Sequence, residues 1–214
     1  MKNIRYKILL PILFYSSFSF AQVQRNVDGK SVIRENIILN TEFNFYRDWS
    51  KMATFKSGIG ETADFFPVVF SLPNSKFELY GLQLDVEVKP RENQMKSTGL
   101  ISAKLKNKDF IKRSIFIDKS EVGKMIAFIE RDIIPHLKDS YNNKSKEYVF
   151  KSKEMFFAFL IDEKDARITF HILDFGPLGD GMGGGEQIEF WTESKIDDIP
   201  NLLSSLKSFF SSMK

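Results

Sequence analysis

The sequence predicts an α+β fold, an antiparallel sheet with two amphipathic helices, and three features of its pattern predict it. Beyond residue 64 the chain runs in short segments that alternate apolar and polar residues, the period of half-buried strands. Twice that rhythm gives way to apolar spacing of three and four residues, the period of a helix with one buried face. Each helical segment follows a group of strand segments, which favours sheets with helices laid against them.

The elements follow in order. Phe65 to Leu72 is aromatic and β-branched, interrupted by Pro67, and Pro73-Asn74-Ser75 has turn chemistry. Phe77 to Lys89 alternates, with Leu82, Leu84, Val86 and Val88 on one face and Gln83, Asp85, Glu87 and Lys89 on the other. Residues 90–97 are a polar turn region, and Gly99 to Lys108 reads as a strand with Ile101, Ala103 and Leu105 opposite Ser102, Lys104 and Lys106. Lys112 to Ile117 is a shorter strand ending at Asp118. Val122, Met125, Ile126, Ile129 and Ile133 then share one helical face, with Ser120 as candidate N-cap, Glu121 in the first turn and Pro135 at the end.

After a polar linker at 138–146 the plan recurs. Glu147 to Ser152, Met155 to Asp162, Arg167 to Leu173 and Gln187 to Thr192 read as strands. Ile199, Leu202, Leu203, Leu206 and Phe210 form a second helical stripe, with Asp198 as N-cap candidate and Pro200 in the first turn. A shift of 77 residues superimposes the two stripes, so two related βββα units are expected, at 64–138 and 147–214, folded into one compact domain. Residues 22–63 are the least patterned, an additional strand or a mobile arm.

The N-terminus predicts export. Lys2, Arg5 and Lys7 precede a 13-residue apolar run from Ile8 to Phe20, too short and too serine-rich to span a membrane. Ser19 and Ala21 set small residues at −3 and −1 of a cut between Ala21 and Gln22, as a signal peptidase requires. Residues 1–21 are therefore expected to be a cleaved signal peptide, and no Cys follows Ala21 to carry a lipid. The expected address is the periplasm or the extracellular space.

Export changes the meaning of the charge. The chain has 31 Lys+Arg and 28 Asp+Glu, and the three basic residues of excess are those of the leader. The mature chain is balanced, which argues against nucleic acid as partner. Within it nine basic residues oppose three acids between Lys89 and Lys119, and eleven acids oppose three basic residues between Glu154 and Asp198. That gradient suits an internal contact or a homo-oligomer. With no Cys, thiol nucleophiles and zinc–thiolate centres are excluded.

Candidate chemistry is sparse. The glycine-rich run from Pro177 to Glu186 reads first as a hairpin loop, since a phosphate loop needs Lys-Ser/Thr and a helix directly after it. Asp174, Asp180 and Glu186 around it are a candidate Ca²⁺ set, though their spacing is not that of an EF-hand. Asp174-Phe175-Gly176 matches the kinase metal triplet without the rest of that machinery. His136 and His171 are the two histidines, too few for a histidine metal centre, and no Gly-x-Ser-x-Gly elbow accompanies them. Asp162 to Asp165 reads as a tight hairpin turn. Lys104, Lys106 and Lys108, with Lys112 and Arg113 nearby, form a basic face that could dock an acidic partner or simply block edge-to-edge aggregation. The serine-rich polar face of the last helix fits packing on a sheet better than lying on a membrane.

The leader ending in Phe-Ala-Gln, the Phe- and Lys-rich composition, Ser114-Ile115-Phe116-Ile117-Asp118 running into Glu121, and Phe190-Trp191-Thr192-Glu193 running into Leu202-Leu203 resemble exported proteins of Bacteroidota-type bacteria with repeated strand–strand–strand–helix units. That resemblance covers about the last 140 residues and implies no activity and no cofactor. The repeated plan is also loosely similar to nucleic-acid-binding PUR-type repeats, whose function the neutral mature charge and the leader argue against. The expected function is non-enzymatic binding or interaction with a protein or small ligand. The alternative is a small exported hydrolase using acids near the glycine-rich loop.

Overall fold

A computed structural model describes residues 29–89, 110–141, 144–162, 166–174, 186–191 and 198–213. The leader, the strand expected at 99–108 with Lys104, Lys106 and Lys108, and the glycine-rich loop with Asp180 lie outside the described residues. Among the described residues the fold is α+β, two antiparallel sheets and three helices, and no helix there is long and apolar enough to cross a membrane.

The first sheet is built on β3 (Thr62–Ser71) and β4 (Glu78–Val88), joined through the Pro73-Asn74-Ser75 turn, where Asn74 takes φ 58°. β5 (Ile111–Asp118) pairs with the far side of β4. The near side of β3 receives two short strands end to end, β1 (Asn44–Arg47) opposite its second half and β2 (Ala53–Lys56) opposite its first. Thus Pro67 does not interrupt β3. Its carbonyl accepts the Asp48 N–H at 3.0 Å, so its missing donor faces the break between β1 and β2, where no ladder bond is lost. The segment before residue 64 also supplies α1 (Val32–Leu39), so it completes this sheet and covers part of it.

β5 leads into α2 (Lys119–Phe128), whose N-cap is Asp118 rather than Ser120. The Glu121 carboxylate accepts the Asp118 N–H at 3.1 Å, the reciprocal bond of a capping box. The helix does not stop before Pro135. It widens to a π turn (Ile129–Ile133), with the Ile134 N–H bonded to the Ile129 carbonyl, and ends in a 3₁₀ turn (Ile134–His136). Proline has no N–H for the carbonyl four residues back and its ring crowds that carbonyl, so a change of winding just ahead of it is the expected relief.

The second sheet is a meander of β6 (Lys146–Lys151), β7 (Met155–Ile161), β8 (Ala166–Asp174) and β9 (Glu186–Trp191). The Ile161↔Ala166 register leaves four residues for the β7–β8 turn. α3 (Ile199–Ser212) closes the chain, buries Ile199, Leu202 and Leu206, and leaves Phe210 partly exposed. It runs antiparallel to α2: Lys119 reaches the Met213 carbonyl, Phe210 packs over Gly123, and Lys207 pairs with Glu130.

One core takes the inner faces of both sheets and the stripes of α2 and α3. Its centre is aromatic. Phe170 of β8 stacks on Phe157 of β7 at 5.1 Å, and lies 5.5 and 5.7 Å from Phe55 and Phe65 of the first sheet. A smaller core on the outer face of the first sheet gathers Ile33 of α1 with Val68, Phe70 and Phe116.

Candidate functional site

The outer face of the first sheet is only partly covered by α1, and beside that helix it opens into a groove of about 920 Å³. Phe45, Tyr46 and Arg47 of β1, the following Asp48, Trp49 and Ser50, and Gln83 of β4 line it. Strand alternation sends Phe45 and Arg47 to this face, because their partners Phe70 and Val68 lie on it. The turn after β1 is held by Asp48, whose carboxylate accepts the Ser50 N–H at 2.8 Å. That turn folds Trp49 back over the sheet, edge-on to Phe66 at 6.2 Å.

Arg47 fixes the groove. Its guanidinium carbon is 3.7 Å from the Phe66 ring centre and 4.2 Å from that of Trp49. It also meets the Asp85 carboxylate at 2.8 Å. Asp85 is oriented in turn by the Gln83 amide at 2.7 Å and the Ser114 hydroxyl at 2.6 Å. The Arg47 Nε is buried with no hydrogen-bond partner among the described residues, so the rings hold that side of the group. Trp49 is nevertheless 75% exposed and Tyr46 68%. Two large aromatic side chains therefore face solvent, and one of them rests on a braced cation.

A second cleft, about 620 Å³, lies along β2 and includes Lys51, Asp64, Glu87 and Asp198 in its lining. Its acids are partly taken up by lysines: Lys51 meets Asp64 at 2.7 Å, and Lys112 meets Glu87 at 3.4 Å. Neither histidine lines it.

The described candidates read from the sequence fall in several separate places. Asp174 and Glu186 are register partners at the end of the β8–β9 pair that the glycine-rich loop connects. Among the described residues no three His, Asp or Glu are grouped to hold a metal ion. Lys112 and Arg113 are successive residues of β5 and so point to opposite faces of the first sheet. His171 is buried on the outer face of the second sheet, edge-on to Phe156 at 5.2 Å. His136 meets Asp139 at 2.6 Å and stacks on Tyr148 at 5.0 Å. That bond from His136 holds the exposed Asp139 carboxyl below its ordinary pKa.

The groove itself falls in the segment whose pattern was weakest. Its only local signal is Asn44-Phe45-Tyr46-Arg47, a brief alternation followed at once by Trp49. Comparison with protein-family models, with curated proteins and with solved structures returns no match for the chain. The fold and the groove define its class as an α+β protein of two antiparallel sheets with an aromatic groove at a sheet edge.

Proposed function

We propose that the chain is an exported, non-enzymatic binding protein of the periplasm or extracellular space, and that its ligand lies in the Trp49 groove. The observation that carries the reading is a tryptophan that is 75% exposed and still fixed, through Arg47, to the Asp85–Gln83–Ser114 network. Rigid exposed Trp, Tyr and Arg groups are the anchors that dominate recognition surfaces, because binding costs them little further ordering. Export rests on the basic leader, the short apolar run and the Ser19/Ala21 cleavage pattern.

Two measurements test this. Protein recovered from the periplasm or medium should begin at Gln22, and an uncleaved cytoplasmic chain overturns export. Immobilised wild-type protein should retain a component of the native envelope that Trp49→Ala fails to retain while keeping the wild-type circular dichroism. Equal retention by both removes the groove as the binding surface. The hydrolase alternative draws on Asp174 and Glu186 facing each other by register. Hydrolysis of a chromogenic ester, glycoside or phosphate that Asp174→Asn and Glu186→Gln abolish would favour it.

A further inference from the structure

We infer that the groove receives an extended peptide strand of another protein, which adds to the free edge of β1. This rests on the Trp49 groove being the working surface, and names its ligand class. The Asp48 N–H bonds to Pro67 across the sheet, so alternate residues Tyr46 and Asn44 also point their backbone groups at β3. Phe45 and Arg47 consequently aim theirs outward, and these make no hydrogen bond among the described residues. That leaves two donors and two acceptors in strand spacing along the groove.

The edges of β5, β6 and β2 are managed differently. On β5 the outward Ser114 carbonyl accepts from Arg34 at 2.6 Å, and the outward Phe116 N–H donates to Glu154 at 2.9 Å. β6 carries Lys146, Glu147 and Lys151, and β2 ends at Lys56, charges of the kind that discourage strand pairing. On β1 the one charge, Arg47, is neutralised by Asp85, and the exposed flanks are Tyr46 and Trp49.

Strand addition matches this edge: backbone bonds supply affinity and alternate side chains supply selection. Peptide residues opposite Phe45 and Arg47 would exchange backbone bonds and set their side chains against the Phe45 ring and the Arg47–Trp49 stack. Uncharged apolar groups fit there. A residue opposite Tyr46 would point to the other face. A second copy of the chain is a poorer occupant. Four residues of edge extend only about 13 Å, whereas a stable dimer buries about 800 Å² on each partner.

The test uses the mature full chain, a capped water-soluble peptide of alternating valine and threonine, and the same peptide N-methylated at the two residues that would face β1. The unmodified peptide should slow exchange of the Phe45 and Arg47 amides at least about tenfold at saturation. N-methylation should weaken binding by about tenfold or more, since each blocked residue loses a backbone bond. Equal binding of both peptides, or binding without protection of those two amides, overturns strand addition. Protection that grows with protein concentration in the absence of peptide assigns the edge to a second copy, and also overturns it. If Trp49→Ala loses the envelope component while wild-type protein shows no peptide-dependent protection, strand addition fails and the groove reading survives. If Trp49→Ala retains that component, the groove reading fails itself.

Discussion

Glu154, at the turn between β6 and β7, is fully buried and accepts from four groups. These are the Ser31 N–H at 2.7 Å, the Ser31 hydroxyl at 2.6 Å, the Arg34 Nε at 2.9 Å and the Phe116 N–H at 2.9 Å. One carboxylate thus ties α1, the edge of β5 and the second sheet together. Glu154→Ala would take a buried carboxylate away from the Arg34 guanidinium and from the Ser31 and Phe116 donors, and should cost about 3–5 kcal/mol in denaturant titration. Trp49 makes the opposite prediction. Its removal exposes Arg47 but opens no core, so Trp49→Ala should change stability by no more than about 1 kcal/mol while abolishing ligand retention.

At the scale of elements, α1 is docked by a glycine and a borrowed cap. A Cβ at Gly81 would fall on the Ile117 carbonyl oxygen and on Ile33 Cδ1, well inside contact distance. Gly81→Ala should therefore push α1 off the sheet, at a cost of about 1–3 kcal/mol, read by thermal melting and by faster amide exchange in 32–39. Asp118 begins α2, yet its carboxylate accepts the Val32 N–H at 2.8 Å and the Ile33 N–H at 3.2 Å, two of the free donors at the start of α1. Ser120 and Asp118 are equally favourable N-cap residue types, and a linear pattern does not choose between them. Asp118 wins because it stands where the strand ends and two helices begin, a meeting point that spacing along one helix does not reveal.

Across the whole molecule, stability depends on the aromatic centre shared by the two sheets and on the pH of the polar junction. Phe170→Ala empties the position where Phe157, Phe55 and Phe65 converge, and should cost about 3–5 kcal/mol. Glu121 accepts the Lys153 N–H at 2.8 Å, linking α2 to the second sheet, and its burial holds its pKa above the ordinary 4.5. The folded protein then binds that proton more tightly than the unfolded chain. Its contribution is greatest below the unfolded pKa and is lost as pH rises through the folded one. Asp132 and Asp139 have lowered pKa values, so their contributions disappear as pH falls through values below 3.8, outside that window. The stability of wild type relative to Glu121→Gln should accordingly fall as pH is raised from about 4.5. A flat difference across that range counts against Glu121 as the titrating group.

Strand and helix identity was legible wherever burial follows one period. Leu82, Leu84, Val86 and Val88 are buried together, as are Val122, Met125, Ile129 and Ile133, because alternation and helical spacing are local consequences of backbone geometry. The α+β class follows from those runs. What decided the rest was contact between distant segments: the pairing of β1 and β2 along one side of β3, the reach of Glu154 across 123 residues to Ser31, and the bracing of Arg47 by Asp85. A four-residue strand carries too few side chains to show a period. Its aromatic neighbours become a groove only once β3 and β4 supply the Phe66 ring beneath them and the carboxylate that holds Arg47 in place.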